Sequence, residues 1–360
     1  MRAFLGILGI LVTALATLVT TCLCSSSNAN TLAPAAVAIA RNFALPSAQV
    51  QAALADLTLA PHPFGSSRQA ELADLLAQRA RNSGMTIDRQ SFTAQVPNPA
   101  ALDPAKPAAL TLARNGINLY VRNVVVPGAP CVVALASHYD TKIVEGTDYL
   151  GANDSGSSSA VLLAQLDYLH HLPHTAKAPN AAKAANLHCD IIGIFFDGEE
   201  AYLTGWTDGL IGHPAHMQDN TYGSRAAAKR LTTCQFAGKA AHCLPPDLGG
   251  KPLLAVVLMD MIGSPNVQLS RDARSSPELV RFASMTAEAL NKKSVYDSTA
   301  QPIEDDHVPF AELGISVIDL IDFHHLQAWH RAGDDVKTLS VASMELAGQV
   351  ALGVAAQAAL

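Results

Sequence analysis

Residues 191–200, IIGIFFDGEE, set six apolar residues directly against a turn that carries three acids. A short run that is apolar at every position suits a strand covered on both faces, where the alternation of inside and outside is lost. Three further runs have this character: VVALA at 132–136, LLAVVLM at 253–259 and ISVIDLI at 315–321. Between and after them the apolar spacing becomes that of helices, at 157–169, 225–231, 278–290 and 341–360. Strands alternating with helices predict an α/β fold with a mixed, mostly parallel central sheet and helices on both faces. Upstream, 67–83 reads as a helix ended by Gly84, 85–96 as a strand, and the Ala-rich stretch 30–60 as helical. Pro97, Pro99, Pro104 and Pro107 stiffen the next loop. The segment before them has too little core for a domain of its own, so residues 30–360 read as a single domain.

The chain has 360 residues, 49% of them hydrophobic and 15% charged, which excludes a disordered chain. A net charge of -7 with no basic run argues against nucleic acid and against anionic membranes as partners. Arg2, the apolar residues 3–19 and the small-residue stretch ending at Ala29 fit a secretory signal peptide over residues 1–29. An uncleaved anchor helix is the alternative. A secreted or periplasmic protein follows, with no stable membrane association once the signal is cut. Cys131, Cys189, Cys234 and Cys243 then remain in an oxidising compartment. Cys234 and Cys243 bracket a short loop and are expected to pair. Cys131 and Cys189 each open a strand and are either buried thiols or a second bridge.

In open α/β sheets, ligands bind beyond the carboxyl ends of the strands. There VVALA runs into Ser137-His138-Tyr139-Asp140, IIGIFF into Asp197-Gly198-Glu199-Glu200, and LLAVVLM into Asp260. The last run leads through a short loop to Trp329-His330, and GANDSG at 151–156 precedes a helix. Alone, each has an ordinary reading: a structural His, a solvated Glu-Glu loop, an Asp that caps a turn or helix. Those readings would have to hold independently at every strand end. Imidazoles and carboxylates without thiolate suit zinc or another borderline divalent ion. Of two adjacent acids, a metal takes one and leaves the other for proton transfer. His170, His171, His174, His188, His324 and His325 read as surface histidines.

The ordered array HYD, GANDSGSSSA, FFDGEEA, LMDMIG, EDDHVPF and AWH resembles the glutaminyl-peptide cyclotransferases and, more widely, the zinc-dependent aminopeptidases that share their fold. The resemblance covers roughly residues 60–355. His138, Asp154, Glu200, Asp260 and His330 match the five metal-ligand positions of the two-zinc aminopeptidases, and Glu199 matches their general base. Trp206, the Tyr222-Gly223-Ser224-Arg225 segment, the Pro265-Asn266 pair, the acidic segment from Asp305 to Phe310 and Trp329 are similar to the cyclase branch.

The resemblance therefore implies a monomeric cyclase acting on the N-termini of peptides or proteins, with N-terminal glutamine closing to pyroglutamate and ammonia leaving. One zinc would be held by Asp154, Glu200 and His330. Glu199 would move the proton, Asp305 would hold Glu199 or the amide in place through Asp260, and Trp206, Trp329 and His307 would shape the pocket. The alternative is a two-zinc aminopeptidase, with His138, Asp154 and Asp260 holding the second ion. A non-catalytic peptide- or zinc-binding relative is a third reading, against which the intact Glu199 argues. Departures from the cyclase pattern are the enlarged loop at 207–221, an insertion over 232–250, Asp319 where animal cyclases carry a histidine, and Ser137 in place of their disulfide cysteine.

Overall fold

The computed structural model describes residues 31–103, 105, 108–122, 126–172, 187–205, 214–292, 295–324 and 328–360. The signal segment and Trp206, together with His174 and His325, lie outside the described residues. In chain order the elements are α1 (Pro34–Asn42), α2 (Ser47–Leu57), α3 (Ser67–Asn82), β1 (Thr86–Pro97), β2 (Thr111–Arg122), β3 (Val132–His138), α4 (Ser158–His170) and β4 (Asp190–Phe196). There follow α5 (Tyr222–Arg230), β5 (Thr232–Phe236), β6 (Lys239–Cys243), β7 (Leu253–Asp260), β8 (Leu269–Asp272), α6 (Pro277–Ala289), β9 (Tyr296–Gln301), α7 (Val308–Ala311), β10 (Ser316–Ile321) and α8 (Val341–Ala358). Leu32–Leu360 makes one compact unit. Among the described residues no helix is long and apolar enough to cross a membrane.

Six strands form the main sheet in the order β1-β2-β4-β3-β7-β10. The four apolar runs β4, β3, β7 and β10 are mutually parallel. Only β2 runs the other way, antiparallel to both β1 and β4. The sheet is thus mixed and mostly parallel, as expected. The reason the central runs are apolar throughout is visible in their side chains. Val133 and Leu135 of β3, with Ile191 and Phe195 of β4 and Val257 and Met259 of β7, face a core built with α1–α4, α6 and α8. Ala134, Ala136, Ile192, Ile194, Val256 and Leu258 face the opposite core, closed by α5, α7 and the segment after β6. Each strand keeps period 2, but both phases are buried.

Strand β2 was not anticipated. Its first half is polar and partly exposed beside edge strand β1, and only its second half is buried. The hairpin β5–β6 and the two-stranded sheet β8–β9 were likewise not anticipated. Cys234 and Cys243 bridge across the hairpin with Cα atoms 5.9 Å apart. Cys131 and Cys189 also form a bridge, which joins the starts of β3 and β4 and resolves the alternative left open above.

Helix α4 sits so close on β4 that a Cβ at Gly193 would lie 2.4 Å from Leu166. Gly193→Ala is expected to cost about 1–3 kcal/mol through overpacking. The check is a lowered urea midpoint at unchanged m-value; a midpoint equal to wild type would mean that the helix is not held this tightly.

Candidate metal centre and active site

Because β3, β4, β7 and β10 share one direction, their carboxyl ends share one rim. His138 ends β3, Glu199 and Glu200 follow β4, Asp260 ends β7, and Trp329-His330 follow β10. Asp154 enters from the turn Ala152–Ser157 that opens α4. Gly151 lets this turn close: its φ is +60°, and a Cβ there would lie 2.3 Å from the Asp154 carbonyl oxygen. Met261 and His330 hold left-handed φ values of 49° and 51°. Such strained conformations in non-glycine residues persist where the surroundings over-determine them, as functional sites do.

Asp154 lies between two imidazoles. Its Oδ1 is 3.2 Å from His138 Nε2, and its Oδ2 is 3.3 Å from His330 Nε2. His330 Nε2 is also 3.1 Å from Glu200 Oε2, and His138 Nε2 is 3.4 Å from Asp260 Oδ1. Two clusters result, Asp154–Glu200–His330 and His138–Asp154–Asp260, with Asp154 in both.

Both ring nitrogens of His138 and Oδ1 of Asp260 are buried, and none makes a hydrogen bond among the described residues, although carboxylate oxygens stand this near. Atoms that approach one another without bonding suit ligands aimed at a common centre. Oxygen and nitrogen ligands about 2.0–2.2 Å from a tetrahedral zinc lie roughly 3.3–3.6 Å apart. The observed spacings of 3.1–3.4 Å come close to that edge length. The donor set, its spacing and its unsatisfied atoms all fit zinc.

The electrostatics agree. Burial pushes the Asp154 carboxyl up, but the imidazoles of His138 and His330 beside it hold it well below the usual carboxylate range. Burial draws His330 down, while Glu200 and Asp154 together lift it to about 9. Glu200 is raised to about 7 by burial and by the Asp154 charge. Glu199 stands well above the ordinary value, raised by burial and by the charges of Asp305, Glu200 and Asp306. So many buried acids in one place need a cation, and the clusters above can hold one.

A cavity of about 250 Å³ opens over this rim. Its polar lining includes Asp154, Glu199, Asp260, Asp305 and His330, and its apolar walls include Ile303, Ile321, Phe323 and Trp329. Trp329 stacks on the His330 imidazole with ring centres 4.2 Å apart, and Phe323 meets Trp329 edge-on at 5.2 Å. His307, expected in the pocket wall, is not among the lining residues. It is fully buried behind Asp305, with Nε2 3.0 Å from Asp272 Oδ2 and Nδ1 3.9 Å from Asp319 Oδ2. The reason is that α7 starts immediately after it and turns it toward β8 and β10.

Three further residues support the site without a motif of their own. Asp140 accepts from the backbone N–H groups of Glu199 and Glu200 at 3.0 and 3.2 Å, and its Oδ1 lies 3.4 Å from His138 Nδ1. Asp334 accepts from the N–H groups of Asn153 and Asp154 at 2.7 and 3.1 Å. The Tyr149 hydroxyl lies 3.0 Å from Asp154 and 3.1 Å from Asp334. These groups are placed where supporting partners sit in metal sites, against the backbone and side chains of the candidate ligands. The only signal for them was proximity in sequence, Asp140 two residues after His138 and Asp334 four after His330.

The chain is 29% identical over 282 residues to the glutaminyl-peptide cyclotransferase-like protein of Bos taurus, covering 72% of this chain and 62% of that protein. It is 23% identical over 313 residues to glutaminyl-peptide cyclotransferase of Drosophila melanogaster, covering 81% and 75% respectively. The chain thus spans less than two thirds of the bovine protein's length. Its fold is similar to that of the Acidobacteriales bacterium glutaminyl cyclase, with a TM-score of 0.63 at 23% identity over 92% of this chain and 97% of that one. It is equally similar to a leucine aminopeptidase precursor of Bacteroides thetaiotaomicron, with a TM-score of 0.64 at 16% identity over 87% and 98%. At these identities the structural likeness establishes the fold. The sequence profile of Peptidase family M28 matches residues 122–355, more than half of the chain and every segment that supplies the rim, and the chain belongs to that family.

Proposed function

We propose that this protein is a zinc-dependent glutaminyl-peptide cyclotransferase, secreted or periplasmic, that converts N-terminal glutamine of peptides to pyroglutamate. The observation that carries the reading is the small cavity walled by Trp329 and Phe323, with Glu199, Asp260 and Asp305 inside it beside the Asp154–Glu200–His330 cluster. The names of the related cyclotransferases support it. The two disulfides support an oxidising compartment.

Asp154, Glu200 and His330 would hold the zinc, which when bound supplies Lewis-acid polarisation of the side-chain amide carbonyl. The apolar walls fold the glutamine side chain back on its own amine and keep water out. Glu199 takes a proton from the α-amine as the new C–N bond forms, and hands it to the side-chain amide nitrogen as the original amide C–N bond breaks and ammonia leaves. Asp305 and Asp260 line the same cavity and hold Glu199 or the amide in register. Because ring closure is intramolecular, positioning carries much of the rate.

One observation favours a second reading. Asp154 offers one oxygen to each cluster, the arrangement a two-zinc aminopeptidase needs, and His138 and Asp260 complete the second ligand set.

The test offers purified protein a Gln-initiated peptide and an amino-acid anilide, with products identified by mass and metal counted per chain. Pyroglutamate from the peptide supports the cyclase. Free amino acid from the anilide, two zinc ions and no pyroglutamate would replace it with the aminopeptidase. In the cyclase, Trp329→Ala is expected to lower turnover by roughly 10²-fold through lost positioning, with metal retained. Unchanged turnover would remove Trp329 from the pocket's function.

A further inference from the structure

Residues 198–203 carry Glu199 and Glu200 but belong to no helix or strand, so their backbone polar groups need partners from elsewhere. Asp140 takes the N–H groups of Glu199 and Glu200, as described. The N–H groups of Thr221 and Tyr222 donate to the carbonyls of Glu199 and Gly198, each at 2.7 Å. Asp219 accepts from the N–H groups of Tyr202 and Leu203, each at 2.9 Å. The carbonyls of Ala201 and Leu203 both accept from one ammonium, Lys142 Nζ.

Lys142 is 1% exposed and does not line the cavity. A lysine is almost never so buried unless its charge is paired and its donors are used. Burial draws its ammonium below the usual range, against the charges of Glu200, Asp219, Glu199 and Asp140, which favour the charged form. It lies two residues beyond Asp140, so the turn after β3 grips the loop at two places: an anion on the N–H groups of the glutamates, and a cation on the carbonyls just beyond them. Asp219 repeats the anionic grip from the segment before α5. A hydrocarbon side chain could fill the space of Lys142, but it would leave two carbonyls buried without donors.

We propose that Lys142, with Asp219 opposite it, is a clamp that fixes the loop bearing Glu199 and Glu200, and that Lys142 is thereby a positioning residue for proton transfer by Glu199. The inference uses the proposed reaction only as its readout, since either reading of the site needs Glu199 held in place.

The test is Lys142→Met, which keeps the stem and removes the donors. The expected result is a fall in kcat on the order of 10²-fold, with KM within about threefold of wild type and zinc per chain unchanged. A methionine variant with wild-type zinc and wild-type kcat would overturn the proposal. So would one that loses zinc in step with activity, because Lys142 would then serve the metal or the fold alone. If the methionine variant does not fold, Lys142→Gln ends in a neutral amide one bond short of the Nζ position and cannot serve both carbonyls. The same loss of kcat with zinc retained supports the clamp, and undiminished kcat overturns it. Failure of the cyclase reading is separable: wild-type protein would then make no pyroglutamate, and the same variants would be compared on anilide hydrolysis.

Discussion

Glu199→Gln is expected to lower ammonia release by about 10²–10⁴-fold, the usual range for a positioned general acid–base, while zinc stays bound. The amide is nearly the size of the carboxylate but cannot take a proton from the α-amine. Glu199 belongs to neither candidate metal cluster, so metal binding is expected to survive the change. Nor should the fold suffer. The Glu199 carboxyl is raised by burial and by the charges of Asp305, Glu200 and Asp306, so its ionised form is disfavoured in the folded protein. The neutral amide carries no such charge, and thermal unfolding checks that the fold is intact. The measurements are ammonia release, metal content and thermal unfolding on one preparation. Turnover close to wild type would show that the proton moves by another route.

Asp154→Asn should fail in the opposite way, losing both metal and turnover. Asp154 is the residue common to both clusters, placed between His138 and His330. The substitution turns an NH₂ group toward one of the two imidazoles and removes the charge that holds them. Loss of Lewis-acid polarisation is worth several kcal/mol in the transition state, so activity should drop roughly 10³-fold or more. Zinc should fall to trace amounts. Together the two substitutions separate proton transfer from metal binding: the first protein holds zinc and does not turn over, the second does not hold zinc. Wild-type zinc content in Asp154→Asn would mean that Asp154 is not a ligand.

The rim was legible because it depends on strand direction alone. Once 132–136, 191–196, 253–259 and 315–321 are read as buried strands joined by helices, parallel pairing follows, and the residues after them must meet. His138, Glu199, Glu200, Asp260 and His330 were therefore reachable from pattern and resemblance. Strand β2 was not, because its first half is polar and pairs where one side meets solvent. Such a segment carries no apolar signature.

The roles of other residues were not legible from pattern. His307 sits in a motif that pointed to the pocket, yet the start of α7 turns it away, since which way a side chain faces at a helix start is set by packing. Asp140, Asp334, Lys142 and Asp219 are single polar residues in loops, where most such residues are solvated. Their roles arise only when a loop without regular secondary structure is buried and its backbone groups must each find a partner. The sequence by itself determined the strand order's direction, the side of the sheet where chemistry gathers and the ligand types present there. Only the tertiary structure decided which oxygens face which imidazoles and what holds the glutamate loop. Those depend on contacts between segments far apart in the chain, and hydrogen-bond geometry there is set by how the buried pieces fit.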